Sequence, residues 1–549
     1  MLRRLTLLAL IATGAFGQPF INYRGVANAA SYVPSGLPHG QLARGSIFSL
    51  FGRAMGPATG VQVSESPLAN TLSGVSIEVC QNSSCIPAIP IYVRADQINA
   101  IIPSNAPLGP VSLRVTYNGQ AGNFTPATVV AASPGIFAMN AGGFGPGIIQ
   151  NFNSGADQPV NSAAVPARPG QVLVLWATGL GAGLNADNVT PRVGDLPVAL
   201  EIWVGGRAVT NIRYKGRSGC CSGLDQIIFD LPPDAPTGCY VPVFLRANGA
   251  LVSNAATMAI SADGSACSDA FNPISERFRQ GGRLGYVTGA RVNMLENFIE
   301  TEPEFTAETA TATFRRATAS PFYFDPQISL PPVGSCTVHT MRGDLLGGDE
   351  LPGFAIAANE LNAGTEIRFG TIAVPREENP LLYTGRIASS LEEPGLPASV
   401  LNAATTVSGP GGADVGTFQF TMQPPGAITF PGRDQLVVID RSKALTVNWQ
   451  ASGAGNDVVL ITGIGVNLPE NSSAQFVCVA NPAAGAFSIP PHVLQAMPIT
   501  PDIADANTAF GYLFVGRSAL RAPTTFAAPG ADAAFGISAQ HAGRAVLFR

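Results

Sequence analysis

The chain has almost no lysine. Lys215 and Lys443 are the only two in 549 residues, and charged residues of all kinds make up 12% of it, about half the usual share for a soluble protein. Binding to nucleic acid requires a stripe of cations that displaces counterions from phosphates. With a net charge of −5 and no block of either sign, the sequence offers no such stripe, and a nucleic-acid partner is excluded. Long apolar runs are missing as well. The run from Leu5 to Ala12 falls well short of the roughly 18–20 residues that cross a bilayer, so no transmembrane span is expected. No two cysteines are spaced C-x2-C, and His39, His339, His492 and His541 stand far apart. The usual zinc arrangements are thereby excluded.

Signatures of catalysis are equally sparse. A hydrolase nucleophile elbow needs G-x-S-x-G; "GRSGC" from Gly216 lacks the final glycine at that spacing and reads as a loop before a disulfide. "GGFGPG" from Gly142 lies between two β-runs with no helix behind it, so no helix N-terminus is available for a phosphate and a β-turn is expected. Glu296, Glu300, Glu302, Glu304 and Glu308 form the one marked acidic stretch. Paired carboxylates could serve glycoside hydrolysis or calcium, but no D-x-D-x-D-G loop is present and a solvated charged face is the plainer reading. The tripeptide Arg342 to Asp344 matches an integrin-binding motif too short to carry weight. Trp176, Trp203 and Trp449 would stack on sugars if exposed; each sits in an apolar alternating run, which places it in a core. No catalytic residue, cofactor or metal ligand is expected.

What is abundant is punctuation. The 61 glycines and 45 prolines describe a turn-rich β architecture, and the length implies three to five domains. The N-terminus reads "MLRRLTLLALIATGAFGQPF", with two arginines, an apolar core and the small residues Ala15 and Gly17. This is the grammar of a secretory signal peptide cut after Gly17. Eight cysteines, an even number, suit an oxidising compartment. Cys80 and Cys85 bracket a polar turn and are expected to pair across a hairpin end. Cys220, Cys221, Cys239 and Cys267 form a second group. Adjacent cysteines strain to join each other, so one of Cys220 and Cys221 is expected to bond Cys239 and the other Cys267. Cys336 and Cys478 either pair over a long range or stay free.

A long stretch of the chain is written twice. "DQINAIIPSNAPLG" from Asp96 returns as "DQIIFDLPPDAPTG" from Asp225, and each copy is followed by an Asn-Gly pair, Asn118-Gly119 and Asn248-Gly249, the favoured hairpin turn. Upstream, "GSIFSLFGRAMGP" from Gly45 aligns with "GQVLVLWATGLGA" from Gly170, and "VSIEV" from Val75 with "LEIWV" from Leu200. A period this long is a whole domain and not a solenoid unit. Within the copies, Ile98, Ala100 and Ile102, and likewise Ile227, Phe229 and Leu231, fall on one strand face before a proline, which is the pattern of an antiparallel sandwich.

The second copy, through "PGQVLVLWATGLG", "LPVALEIWVGGRAVTNIRY" and "LDQIIFDLPPDAPTGCYVPVFLRANG", resembles the IPT/TIG class of immunoglobulin-like domains. Together with "NAASYVPSGL", "RGSIFSLFG" and "SPGIFAMNAGGFGPGIIQNF" of the first copy, it is similar to a family of secreted Solibacter-type bacterial proteins of uncharacterised role, over roughly Ala27 to Ser261. The first copy departs from the pattern by carrying the Cys80 to Cys85 bracket where the second has a Gly-Gly hairpin. The resemblance implies export and an immunoglobulin-like fold, and no activity.

Further on, "TATATF" reads as a strand, Gly411-Gly412 as a turn, Leu445, Val447 and Trp449 as one strand face, and "FSIPPHVLQAM" as a single helical turn. The expected organisation is all-β: a signal peptide over 1–17, immunoglobulin-like sandwiches over 18–131 and 132–262, a β-rich domain over 263–424 and a C-terminal sandwich over 425–549, with the last boundary at Pro424-Pro425. The expected function is that of an exported interaction, adhesive or spacer protein whose partner is an extracellular protein or polysaccharide. Carbohydrate or polymer binding is the alternative, and a secreted hydrolase is third.

Overall fold

The computed structural model describes residues 17–269, 271–295, 304–341, 359–377, 382–391, 393–451, 457–467, 472–500 and 509–549. Apart from Gly17, the expected signal peptide lies outside the described residues, as do Glu296, Glu300, Glu302 and the Arg342 to Asp344 tripeptide. The protein is all-β, with 50% strand and 5% helix.

The first repeat copy folds into one sandwich. Its strands are β1 (Phe20–Asn28), β2 (Ile47–Arg53), β3 (Val75–Gln81), β4 (Ser84–Val93), β5 (Gln97–Ile101), β6 (Gly109–Tyr117) and β7 (Gln120–Val130). They follow the order β1, β2, β5, β4, β3, β6, β7. Strand β4 belongs to both layers. Its first half pairs with β3 and its second half with β5, and Pro87 and Pro90 remove the donors that would hold it in one ladder.

The second copy holds β8 (Val172–Thr178), β9 (Leu200–Val204), β10 (Ile212–Arg217), β11 (Asp225–Asp230), β12 (Gly238–Ala247) and β13 (Ala256–Ile260). One sheet is built on β8, β11 and β10, the other on β9, β12 and β13. The repeat extends to the cross-strand partners. Leu50 faces Ile98 as Leu175 faces Ile227, Phe48 faces Ala100 as Leu173 faces Phe229, and Ile77 faces Val115 as Ile202 faces Leu245. Each of these side chains is buried, so the repeated letters encode the same contacts in two separate cores. Both Asn-Gly pairs have positive φ at both residues, 48° and 79° at Asn118-Gly119 and 53° and 74° at Asn248-Gly249, the conformation of a type I′ turn.

After helix α1 (Pro273–Gln280) the strands lengthen: β14 (Gly282–Leu295), β15 (Phe305–Ala317), β16 (Ser335–Met341), then β17 (Glu366–Phe369), β18 (Ile372–Pro375), β19 (Tyr383–Ser389), β20 (Thr405–Gly409) and β21 (Phe418–Met422). Next come β22 (Val458–Asn467), β23 (Ser472–Ala480), helix α2 (Pro491–Gln495), β24 (Ala509–Ser518) and β25 (Ala533–Phe548). One large sheet runs β16, β23, β22, β24, β25, β14, β15, with β19 beside β15.

This sheet corrects the expected boundary at 424/425. β14 lies parallel to β25 from Leu284↔Ala533 to Leu295↔Arg544, and β16 pairs with β23, so the two expected domains share one sheet. Two cores sit side by side on the same face of it. One is covered by the smaller sheet of β17, β18, β20 and β21, the other by the segments around Ile428, Val447, Ile489 and α2. Pro424-Pro425 marks where the chain passes from one cover to the other. A proline pair breaks local hydrogen bonding whether or not a domain ends there. The opposite face of the sheet is covered by Ile274 and Phe278 of α1 together with Ile328 and Leu520.

Candidate interdomain binding site

The contact between the two repeat copies is polar and buried. Arg217 at the end of β10 pairs with Asp225 at the start of β11, at side-chain exposures of 3% and 0%. Its second guanidinium nitrogen donates to the carbonyl of Gly181 and, 2.7 Å away across the junction, to that of Gly45 in the first sandwich. The Leu180 amide donates to the other Asp225 oxygen at 2.8 Å. Burial pushes the Asp225 carboxyl up from its ordinary range, opposed by Arg217 and the Leu180 amide. Around this pair the Ile47 amide donates to Thr178 Oγ1 at 2.9 Å, and the Ser104 amide and hydroxyl each reach Asp187 at 2.6 Å. A single arginine therefore satisfies carbonyls of both domains, a fork that lysine could not supply.

Beside this weld lies a pocket of about 410 Å³ between the copies. Its first wall comes from β4 and the loop before β3. A bulge between Pro90 and Tyr92 shifts the register against β5, which re-aims successive side chains, and Ile91 and Tyr92 both line the space with Asn99 of β5. The Leu68 amide, 2.7 Å from the carbonyl of Asn188, ties that loop to the second wall, formed by Val189, Pro191, Leu224 and the pair Cys220 and Cys221.

Cys220 and Cys221 are disulfide-bonded to each other, Cys239 to Cys267, Cys80 to Cys85 and Cys336 to Cys478. This corrects the expected exchange between Cys220 or Cys221 and the Cys239, Cys267 group. The adjacent pair sits at the end of the second sandwich that faces the first copy, whereas Cys239 and Cys267 pack with Phe324 of the C-terminal module. The flanking "RSG" and "SG" are the sequence signal that was available for it: small residues on both sides permit a tight bend, and Gly223 has a φ of 78°.

The contact with the C-terminal module is aromatic. The Trp203 ring stacks on His492 at 4.5 Å, the Arg246 guanidinium covers Trp203 at 4.7 Å, and Phe244 approaches His492 at 5.1 Å. Arg246 also pairs with Glu201 at 2.6 Å and donates to Gln495 at 3.3 Å. Val33 and Leu37 of the first copy and Phe244 and Val252 of the second enter the same core as Val493 and Leu494, so all three modules meet there. Burial holds His492 at about 3, helped by Arg246, and His39 at about 4, helped by Arg441.

None of the three tryptophans is exposed. Trp176 donates to Gln150 at 2.8 Å, Trp449 to the Pro482 carbonyl at 2.9 Å, and Trp203 serves the junction. Of the acidic stretch, Glu304 is held low by Arg433, and Glu308 is buried, accepting from the Val400 and Leu401 amides. Asp269, pushed up to about 6 chiefly by burial, accepts from the Phe271 amide in the turn leading into α1, with Glu276 accepting from its own amide. This is helix-end chemistry, and the Ser268 hydroxyl joins it by donating to Glu276 at 3.1 Å. Among the described residues no three His, Cys, Asp or Glu converge to hold a metal ion, and no helix is long and apolar enough to cross a membrane.

No family model and no curated protein matches the chain. Among solved structures it is similar to SGBP-B from a complex xyloglucan utilization locus in Bacteroides uniformis, at 12% identity over 55% of this chain and 67% of that one, with a TM-score of 0.15. The immunoglobulin domains 1–4 of Sidekick-1 give 10% identity over 95% and 99%, with a TM-score of 0.11. Domains 4–9 of the surface layer protein SbsC give 10% over 91% and 80%, with a TM-score of 0.17. At such scores the likenesses carry no argument about function.

Proposed function

We propose that the chain is an exported structural or adhesive protein of the extracellular space, a rigid spacer built from tandem IPT/TIG-like sandwiches of the Solibacter-type secreted family and a large C-terminal β module. The observation that carries this reading is the pair of closed junctions, one sealed by Arg217 and Asp225, the other by Trp203, Arg246 and His492. A load-bearing or presenting element needs its modules fixed to one another, and a buried ion pair at one junction and stacked rings at the other serve that end. Four disulfides support an oxidising location outside the cytoplasm.

The test is non-reducing peptide mapping of protein collected from the exported fraction, followed by small-angle scattering. An N-terminus at Gln18, a Cys239–Cys267 cross-linked peptide and a scattering curve fitted by one rigid particle are expected. Free thiols with an intact Met1, or a curve that demands independently moving modules, would overturn the reading.

A further inference from the structure

We propose that the pocket between the two repeat copies binds a neutral sugar ring, seated on Tyr92 and hydrogen-bonded by Asn99 and the Gln62 to Glu65 loop. This goes beyond the spacer reading, which needs no ligand.

Several hydrogen-bonding side-chain groups on the pocket walls have no hydrogen-bond partner among the described residues. Asn99 Oδ1 is occupied by Ser49 and Gln97, but its Nδ2 donates to no described residue. The Tyr92 hydroxyl and the side chains of Gln62, Ser64 and Glu65 likewise make no hydrogen bond within the described protein, and all of them line the pocket. These groups surround an apolar interior of Ile47, Leu68 and Leu224. Gln62, Ser64 and Glu65 are exposed and keep water as a partner, whereas Asn99 and Tyr92 are partly buried, so a purely apolar ligand would cover the Asn99 amide and the Tyr92 hydroxyl without replacing their hydrogen bonds. A sugar ring has an apolar C–H face for the tyrosine and the aliphatic side chains and a rim of hydroxyls that both donate and accept, matching the mixed set of donors and acceptors.

Charge narrows the class. No Arg, Lys or His lines the space, and Glu65 is its one ionisable acid, so a carboxylated or sulfated sugar meets only repulsion. Size agrees, since about 410 Å³ lies in the lower part of the usual range for ligand pockets, roughly 300–1,000 Å³, which domain interfaces commonly supply. The disulfide between Cys220 and Cys221 adds a polarisable, weakly hydrogen-bonding surface to the second wall. Two hydrogen bonds tie that wall: the Ser222 hydroxyl donates to the Val189 carbonyl at 3.1 Å, and Thr178 Oγ1 to the Gly223 carbonyl at 2.6 Å. Preorganised walls spare the ordering cost that weakens binding at mobile loops.

Saturation-transfer NMR on the full chain without its first 17 residues, with cellobiose, maltose, xylobiose and chitobiose as separate millimolar probes, tests the proposal. At least one disaccharide is expected to receive saturation, and Tyr92→Ala should weaken it by about tenfold or more, as loss of an aromatic anchor does. Because Tyr92 is half-buried and its loss could loosen the sandwich, Val189→Trp serves as the second variant. Val189 is 38% exposed, so the indole fills the pocket from the rim while the melting temperature stays that of the parent. Loss of the signal in this variant supports the site. No transfer to any of the four sugars, a signal that survives Val189→Trp, preference for anionic digalacturonate, or binding of 2-naphthol with no sugar binding would each overturn it.

Discussion

Asp96 and Asp225 occupy the same place in the two copies of the repeat and have opposite surroundings. Asp96 pairs with Arg94 where both side chains are about half exposed, at 59% and 42%, and solvent screens most of that attraction. Asp225 pairs with Arg217 out of water. Asp96→Asn is therefore expected to leave stability nearly unchanged. Asp225→Asn leaves a buried guanidinium uncompensated and should cost about 3–5 kcal/mol. Urea unfolding of the two variants against the parent checks this, and similar losses would remove the case for a buried weld. The strand that follows Asp96 and the one that begins at Asp225 were legible from their alternation, because Ile98 and Ala100, and Ile227 and Phe229, repeat the two-residue period of a half-buried face. The burial of one aspartate was not legible. It depends on Gly45, which lies 172 residues from Arg217, and no local pattern records a neighbour at that range. The pairing of Cys220 with Cys221 is hidden for a related reason: the strain of adjacency is local, while the location of Cys239 beside Cys267 and Phe324 is set by the fold.

In the large sheet a rule of construction links glycines to rings. Gly463 lies opposite Phe476, Gly285 opposite Phe314, Gly543 opposite Phe514 and Gly409 opposite Phe418 in its neighbouring sheet. At each, a Cβ would run into the facing ring. Glycine weakens a strand by itself, and the ring laid over it restores the lost packing, the arrangement known as aromatic rescue. Gly463→Ala is accordingly expected to destabilise by about 1–3 kcal/mol through overpacking, whereas Ala is ordinarily preferred to Gly in a strand. Gly463→Ala paired with Phe476→Leu should recover part of that loss in a double-mutant cycle, and additive losses would refute the coupling. A second prediction concerns the edge of the same sheet. The Cys336–Cys478 bond closes a separation of 142 residues and joins β16 to β23, and Cys80–Cys85 closes one of 5. Loop-closure entropy grows with length, so replacing the first pair by serines should cost about 4–5 kcal/mol and the second clearly less, measured as shifts in denaturant midpoint. The glycines themselves were visible in the sequence as turn signals; their role inside strands was not, because it requires knowing which ring lies across. The parallel contact of β14 with β25 was hidden for the same reason. Alternation declares that a segment is a strand and is silent about its neighbour.

At the scale of the whole molecule four histidines shielded from water set the response to acid, two of them at the junctions. His39 and His492 are buried, 5% and 3% exposed, where the three modules meet. Arg441 faces the first and Arg246 the second, and burial lowers them from 6.5 to about 4 and about 3. In the unfolded chain each takes a proton near 6.5, so between that value and the folded one the unfolded state binds more protons. Stability therefore rises with pH across this window and is lost as pH falls through it, by about 3 kcal/mol per histidine at pH 4. Asp269 works the other way. Raised to about 6 in the folded protein from 3.8, it is protonated in the native state first and adds roughly 2 kcal/mol as pH falls over the same range. Burial lowers His339 and His541 to about 4 in the same way, so the net expectation is a loss on the order of 10 kcal/mol between pH 6.5 and pH 4, shared among four histidines. Thermal melts across that range give the total, and scattering at the acid end reports whether the modules part before they unfold. His492→Phe separates the cause from general acid unfolding. The ring keeps a face for Trp203 but no longer titrates, so the pH dependence should flatten by about the share of one histidine while stability at pH 7.5 stays close to that of the parent. An unchanged slope in that variant would place the acid response elsewhere. A flattened one would show that the contact between the second copy and the C-terminal module carries one share of the acid response, because the imidazole buried beside Arg246 must remain uncharged.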